Sequence, residues 1–282
     1  MSSHSQVRTY RAAEHPNPLE LIAQGFREIW SRRRLTRYLV QADLHRHGAD
    51  TVLGNIWWVL DPLLQMIVYV ILVSVIFQRA TEDYALFVFA AILPWKWFSA
   101  SVNDSITSVT SRERIIKQVS FPKIVLPVAA TSSGIVSFAF GMIPLLGLML
   151  LFYADRISLF LLLIPVVAVV QLAFTLGIAI FVSSVNVFFR DIGNVARHGL
   201  RIWFYLSPGL YGLDALTGNP TLQSLMRLNP WATLFESYRD LIYYGTFPQW
   251  GPLAILLVVS IVFLGIAMIF FKRVEPAFAK VL

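Results

Sequence analysis

The sequence predicts an all-α integral membrane protein with six transmembrane helices, an N-terminal amphipathic interface helix and short re-entrant external helices before the last span. First, 57% of the residues are hydrophobic and only 14% are charged. Second, residues 124–154, 157–189 and 252–271 carry no charge, and a helix needs roughly 20 apolar residues to cross a bilayer. Third, 18 of the 23 Lys and Arg residues fall in four segments, at residues 1–56, 112–123, 186–201 and 272–282. Because cytoplasmic loops collect Lys and Arg, the pattern predicts that both termini are cytoplasmic.

Membrane topology explains the basic composition better than nucleic-acid binding does. The pI is near 9.8, but no basic run in a soluble segment is interleaved with aromatic residues that could stack on bases. The chain has no Cys, which excludes disulfides and thiolate metal sites. His45 and His47 face different sides of a helix, so no metal site is expected. The first residues are polar and include Pro16 and Pro18, so no cleavable signal peptide is expected.

Residues 1–56 form the predicted cytoplasmic segment, which contains an amphipathic helix. Apolar residues follow helical spacing from Leu19 to Trp30, and the run ends at the basic cluster Arg32-Arg33-Arg34. This pattern is typical of a helix that lies in the membrane interface with its arginines near anionic headgroups. The alternative is a helix that packs under the transmembrane bundle.

Residues 57–282 form the predicted six-helix transmembrane domain. The first span, residues 57–77, opens on Trp57-Trp58, a pair suited to the headgroup boundary. Pro62 predicts a kink or a late helix start, which keeps Asp61 near the cytoplasmic face. The second span, residues 84–111, carries Lys96 and Asp104. The third and fourth spans cover residues 124–153 and 158–187, with short external turns at 79–83 and 155–156.

The fifth span is the least regular. The apolar stretch at residues 199–213 is short, and Pro208-Gly209 interrupts it. Residues 214–249 are too polar to cross a bilayer and too aromatic for an ordinary loop. The segment from about 208 to 250 therefore predicts short helices that re-enter the outer half of the membrane, where protein or a water-filled cavity shields the backbone. The last span covers residues 251–271 and a short basic tail follows it.

No enzymatic site is predicted. The sequence has no G-x-x-x-x-G-K-[ST] loop to hold nucleotide phosphates, no H-E-x-x-H and no G-x-S-x-G. Asp61 and Asp104 could pair near the cytoplasmic face, but neither lies in a recognisable catalytic setting. No catalytic residue and no metal ligand is therefore assigned.

Four segments resemble one family, the ABC-type polysaccharide-export permeases. Residues 53–63, LGNIWWVLDPL, resemble the family's LG-x-x-W-x-x-x-x-PL sequence before the first span. Residues 120–127, SFPKIVLP, are similar to its approach to the third span, and residues 186–192, NVFFRDI, to its end of the fourth. Asn229-Pro230-Trp231 with Tyr238-Arg239-Asp240 resembles its external segment before the last span. The segments occur in the family's order. The sequence departs from the family at residues 43–47, DLHRH, where many members carry a Lys-x-Arg-Tyr-like run.

The resemblance implies the permease subunit of an ATP-driven exporter in the bacterial cytoplasmic membrane. It implies a homodimer of this chain bound to two copies of a separate ABC ATPase, which would bind ATP and Mg. This chain would then carry no cofactor and no ATPase site of its own. The expected coupling segment is the short basic stretch before the third span, with Arg112, Arg114 and Lys117 outward and Ile115, Ile116 and Val119 available for packing. The alternative for this stretch is a solvated basic loop.

The implied cargo is a polysaccharide on a polyprenyl pyrophosphate carrier in the membrane lipid. Guanidinium groups bind phosphate oxygens bidentately, so Arg46, with His45 and His47, is the candidate site of lipid-pyrophosphate access before the first span. Arg34, Arg37 and Arg190 lie at a similar depth and are the alternatives. Sugar rings stack on aromatic side chains, which makes a candidate substrate path of Trp95, Trp97, Phe98, Trp203 and Tyr205. Lys96 joins this path because an ammonium within a span is costly against lipid, and the alternative is that it snorkels outward.

The external segment is the candidate gate. Trp231, Glu236, Arg239 and Asp240 lie on one predicted helical stretch, and Arg239 could bridge the like charges of Glu236 and Asp240. Two other functions stay open at this point: an ABC permease for drugs or small lipids, and a lipid-handling membrane enzyme. An enzyme would need a catalytic carboxylate or a phosphate-binding constellation at one membrane face.

Overall fold

The computed structural model describes residues 17–48, 53–78, 81–216 and 218–282 and, within that part of the chain, is built from helices without strands. The longer helices are α1 (Pro18–Ser31), α2 (Arg33–Gly48), α3 (Trp57–Val70), α4 (Tyr84–Ser108), α5 (Glu113–Gln118), α6 (Val125–Phe152), α7 (Ile164–Phe188), α8 (Ile192–Leu206), α9 (Pro220–Arg227), α10 (Pro230–Arg239) and α11 (Trp250–Val281). Wider helical turns extend α3 over Ile71–Ile76 and α10 over Asp240–Tyr244.

Among the described residues, five helical stretches are long and apolar enough to cross a membrane. They are Trp57–Ile76, Tyr84–Ser108, Val125–Phe152, Leu159–Phe188 and Trp250–Val281. Predicted spans one to four and the last span coincide with them. The predicted fifth span has no counterpart of that length, since α8 is 15 residues long and reaches about 22 Å, less than the roughly 30 Å of the hydrocarbon layer.

Asn-Pro pairs begin three helices. Asn17, Asn219 and Asn229 cap α1, α9 and α10, and the side-chain oxygen of each accepts a hydrogen bond from a backbone N–H of the first turn. Proline follows at the first helical position, where its fixed φ suits the helix and its missing N–H has no partner to lose. The two short helices before α11 are therefore encoded locally. Pro62, in contrast, lies inside α3, so of its two predicted effects the late helix start is wrong and the kink stays a prediction.

Helix α4 is the centre of the bundle. In its most apolar stretch of 18 residues, 78% of the residues are buried, against 17–28% in the corresponding stretches of the other four candidate spans. It packs against α3, α6, α7, α8 and α10. Gly134 on α6 makes one of these contacts possible, because a Cβ there would lie 2.6 Å from Trp97 Cδ1. Small residues that allow such close approach are typical of helix packing in membranes.

Each end of the bundle is held by its own polar contacts. At one end, termed the terminal end, Lys272 of α11 pairs with Glu28 of α1 at 2.8 Å, and Glu275 accepts the backbone N–H of Lys123. At the other, termed the opposite end, Arg156 pairs with Asp83 at 2.8 Å, and the Asp83 carboxylate raises the pKa of Arg156. The first described helix and the C-terminus therefore lie at the same end.

Candidate functional site

Lys96 lies in a cleft between α3, α4 and α6. Its ammonium is 3.7 Å from Asp61, and the two side chains keep 33% and 57% of their exposure. The cleft encloses about 150 Å³ and is also lined by Trp97, Asp104 and Phe138. The sequence predicts an ammonium that lines the path or snorkels outward; the fold pairs Lys96 with a carboxylate on the neighbouring helix α3 and leaves its other side open.

Most of the predicted aromatic path is buried inside the single chain. Trp95, Trp97 and Phe98 are 6%, 2% and 0% exposed, and Trp95 packs on Trp231 with ring centroids 4.8 Å apart. The half-buried Trp203 donates its indole N–H to Asn229 Oδ1. Tyr205 is 55% exposed. The fold thus divides the set: Lys96 and Tyr205 are accessible, and the packed rings hold α4, α8 and α10 together.

The chain after α8 reaches the opposite end, dips into the bundle and returns. Tyr84, at the start of α4, donates its hydroxyl to Leu210 O. Asn229, the cap of α10, comes back to the last turn of α8, where its amide donates to Ser207 Oγ. The start of α10 lies at the level of Trp95, which is about 16 Å along α4 from Tyr84. Tyr243 then returns to the opposite end and donates to Glu82 O.

Arg239 holds this external segment to the rest of the bundle. Its side chain is 1% exposed, and its guanidinium donates to the carbonyls of Phe87, Pro208, Gly209 and Tyr211. The guanidinium carbon also lies 3.7 Å from the centre of the Phe87 ring. The expected bridge from Arg239 to Glu236 and Asp240 is wrong: five N–H donors in a fixed plane suit several carbonyls at once, and the turn at 208–211 presents them.

Glu236 and Asp240 face a separate cavity of about 200 Å³ at the opposite end. Asp214, Arg227 and Gln249 also line it. Trp231, the fourth predicted gate residue, is 0% exposed and points the other way, into the aromatic contacts with Trp95 and Phe98. The candidate gate helix α10 therefore has one acidic face on a cavity and one apolar face in the core.

The predicted coupling segment forms α5 at the terminal end. Ile116 is 5% exposed, whereas Ile115 and Val119 are 51% and 55% exposed, so the expectation that the latter two pack is wrong. Arg114 and Lys117 are exposed as expected. Lys117 pairs with Glu113 at 2.7 Å, and its ammonium lowers the pKa of Glu113.

Arg112 points inward instead of outward. It pairs with Asp43 of α2 at 2.9 Å and donates to Ser108 O at the end of α4. A sequence pattern does not reveal such a pair, because its members are 69 residues apart. The same holds for Glu28, which pairs with Lys272 across 244 residues. These contacts attach the N-terminal helices to the transmembrane bundle.

The candidate lipid-pyrophosphate residues lie at the end of α2. His45 is exposed, and its Nδ1 lies 2.7 Å from Gln41 O. The side chains of Arg46 and His47 lie outside the described residues. Within the described part of the chain, the titratable side chains form no group of three that could hold a metal ion.

Residues 34–243 match the ABC-2 type transporter family. The chain is 32% identical over 254 residues to an O-antigen export system permease protein, RfbA, of Myxococcus xanthus, an alignment that covers 90% of this chain and 97% of the relative. It is 29% identical over 245 residues to a protein of the same name from Klebsiella pneumoniae, covering 86% of this chain and 93% of the relative. The resemblance identified from four short segments is thereby confirmed. The chain belongs to the ABC-2 type transporter family.

Proposed function

We propose that this chain is the membrane permease of an ATP-driven exporter that moves a polyprenyl-pyrophosphate-linked polysaccharide across the bacterial cytoplasmic membrane. The observation that carries the proposal is likeness over nearly the full length to relatives named as O-antigen export permeases. A permease of this kind has no nucleotide site of its own. Two copies of a separate ATPase would bind ATP and Mg, and two copies of this chain would form the transport path.

We infer six membrane crossings with both termini in the cytoplasm. The contact between Glu28 and Lys272 supports an even number of crossings, because it joins the first described helix to the last. Helix α8 with residues 207–211 would supply the crossing that the five apolar spans lack, ending where Tyr84 bonds Leu210. Helices α9 and α10 would then be re-entrant. The basic segments at the terminal end favour its cytoplasmic placement.

Residues 1–56 would form the cytoplasmic segment, and residues 57–282 the permease domain. On α1, Leu19, Phe26 and Trp30 are 73%, 54% and 73% exposed, whereas Leu21 and Gly25 are buried. An apolar face left open beside the bundle favours a helix that lies in the lipid interface.

Helix α5 would transmit the motion of the ATPase. Its exposed Ile115 and Val119 lie beside the exposed cations Arg114 and Lys117. Apolar side chains within a charged surface are typical of protein contacts. The buried Ile116 anchors the same helix in the core, so force on the exposed face would reach the bundle. His45, Arg46 and His47 would meet the lipid headgroup, Lys96 and Tyr205 would line the path, and α10 would close its outer end.

The test is reconstitution of the chain with its ATPase in vesicles whose outer leaflet carries a polyprenyl-pyrophosphate-linked glycan and whose ATPase faces the medium. We expect ATP and Mg to protect the glycan from an added glycosidase, because it moves to the lumen. ADP should leave the glycan accessible. ATP hydrolysis with unchanged glycan accessibility would contradict polysaccharide export, and movement of a fluorescent short-chain lipid instead would favour small-lipid export.

A further inference from the structure

Helix α8 carries a polar stripe that none of the predicted sites uses. Asn194, Arg197, Arg201 and Tyr205 follow one another at helical spacing and are exposed, while Leu200 and Phe204, which lie beside this stripe on the helix, are buried. Residues three and four apart lie on the same side of a helix. The stripe therefore presents two guanidinium groups and one phenol in a single line.

The stripe faces a cavity within the depth of the transmembrane helices. Arg197, Arg201 and Tyr205 line a space of about 350 Å³, with Gln65 and Tyr69 of α3 and Ser99 and Asn103 of α4 on its other walls. Asn103 and Ser99 lie about 7 Å and about 13 Å along α4 from Ser108. Charged side chains at such depth face a water-filled cavity or a partner, since exposure to hydrocarbon is costly.

A second cavity lies next to this space, towards the terminal end. It encloses about 340 Å³ and is lined by Thr110, Glu113, Arg190 and, at its inner limit, Arg197. Arg197 lines both cavities, so the two are neighbours. Arg190, Arg197 and Arg201 therefore offer guanidinium groups one after another from the terminal end inward.

The deeper cavity has cationic donors without matching anions. Arg197 donates to Gly193 O and Asn194 Oδ1, and Arg201 has no ion pair among the described residues. No carboxylate stands among the described side chains that line the space. Lys96, Arg112 and Lys272 each have a carboxylate partner elsewhere in the bundle. Asn103 Oδ1 is buried and has no hydrogen-bond partner within the described residues, so an acceptor for a hydroxyl group is open as well.

We propose that Arg197 and Arg201 form a binding subsite for the pyrophosphate of a polyprenyl-linked glycan, with the first sugar near Asn103. The proposal rests on the proposed function and adds a site deeper than His45, Arg46 and His47. Two guanidiniums one helical turn apart match two adjacent phosphoryl groups, since each guanidinium binds phosphate oxygens bidentately. A single anionic phospholipid headgroup offers one phosphate and engages half of the subsite.

The test uses the full chain in nanodiscs of phosphatidylcholine, titrated with fluorescent polyprenyl pyrophosphate at fixed salt. We expect Arg197→Gln and Arg201→Gln each to weaken binding roughly tenfold, as loss of a charge-assisted hydrogen bond does. Arg201→Lys should recover only part of the loss, because an ammonium cannot bind bidentately. Arg273→Gln, an exposed arginine at the terminal end of α11, is the control and should bind like the wild type.

Separate arms distinguish the sources of the phosphate. Fluorescent phosphatidylglycerol should bind more weakly than polyprenyl pyrophosphate. In the double variant, which combines Arg197→Gln and Arg201→Gln, its affinity should also fall by less. Equal losses for both lipids would overturn the subsite as a pyrophosphate site, and unchanged pyrophosphate binding in the double variant would overturn it outright while leaving the proposed function intact. A wild-type chain that bound polyprenyl pyrophosphate no better than phosphatidylglycerol would contradict the proposed function itself.

Discussion

Arg239 shows how one buried charge can organise the external segment of this fold. Within the described part of the chain its guanidinium has no carboxylate at hydrogen-bonding distance, and it donates hydrogen bonds to the carbonyls of Phe87, Pro208, Gly209 and Tyr211 instead. A buried cation is tolerated when its donors are satisfied and its charge is spread over dipoles. Arg239 therefore fastens the turn after α8 to the start of α4.

Arg239→Met should loosen this turn. The substitution keeps the apolar stem but leaves carbonyls of the buried turn without donors, at a cost of about 1–3 kcal/mol for each one that water cannot reach. We expect a lower melting temperature in detergent and, in polymer-free vesicles, a larger ion leak. Arg273→Met, at an exposed position, is the control. A stable variant with an unchanged leak would contradict the role of Arg239 in closing the outer end.

The pair of Lys96 and Asp61 allows structure and transport to be separated. At 3.7 Å, with 33% and 57% of the side chains exposed, the pair should contribute about 0.5–1 kcal/mol in a double-mutant cycle of Lys96→Met and Asp61→Asn. If Lys96 also lines the path, Lys96→Met should reduce polymer transport severalfold, and Asp61→Asn should reduce it less. Thermal unfolding and glycan protection measure the two effects. Equal transport by Lys96→Met and wild type would remove Lys96 from the path.

Residue-level site predictions were limited because a side chain's chemistry does not specify its neighbours. Trp95 and Tyr205 are both aromatic, yet Trp95 is 6% exposed and Tyr205 is 55% exposed. The difference comes from α10, whose Trp231 covers Trp95 from a position 136 residues further along the chain. Arg112 was expected on the surface for the same reason: its partner Asp43 belongs to a helix of another segment.

Among the elements, α5 has two faces that single substitutions can separate. Ile116 is 5% exposed and Ile115 is 51% exposed, although they are adjacent. Ile116→Ala should destabilise the fold by about 2–4 kcal/mol, because it leaves a cavity in the core. Ile115→Glu should leave the melting temperature nearly unchanged and lower the ATPase stimulation and transport of the assembled complex severalfold.

The control for α5 is Gln118→Glu, which adds the same charge at another exposed position of the helix. Near-normal ATPase stimulation in this control would show that the charge alone does not explain the effect of Ile115→Glu. If Ile115→Glu assembled with the ATPase and transported like the wild type, α5 would be a solvated loop helix without a coupling role.

Helix α8, the proposed fifth crossing, could not be predicted from the sequence with sharp boundaries. Its 15 residues alternate a polar stripe with buried positions, so neither its length nor its hydropathy resembles a span facing lipid. Such a helix satisfies the bilayer only when its polar face lines a cavity. The other five spans were predictable because lipid selects for length and apolarity directly. The external helices were predicted from their polar and aromatic composition, whereas their start points are set locally by the Asn-Pro pairs at 219–220 and 229–230.

At the scale of the whole molecule, the parity of the crossings decides the topology. Five crossings would place the two termini on opposite sides of the membrane, whereas six place them on the same side. The ion pair between Glu28 and Lys272 joins the N-terminal helix to the end of α11, and Glu275 accepts the Lys123 N–H beside it. In the proposed topology, the additional crossing lies between the end of α7 and the start of α11, and we assign it to α8.

Labelling of single cysteines tests this topology without background, because the chain contains no Cys. Four exposed positions serve as markers. Asp191 and Asp214 flank α8, Asp155 marks the opposite end, and Lys280 marks the C-terminus. With a membrane-impermeant maleimide, we expect Asp214→Cys and Asp155→Cys to react in intact spheroplasts. Asp191→Cys and Lys280→Cys should react only after permeabilisation, and the wild-type chain should not react.

If Asp191→Cys and Asp214→Cys reacted from the same side, α8 would not cross, and the last span would then carry Lys280 to the side opposite the N-terminal helix. The bond between Glu28 and Lys272 could not form in that arrangement, so the labelling pattern tests the packing of the terminal end together with the crossing by α8.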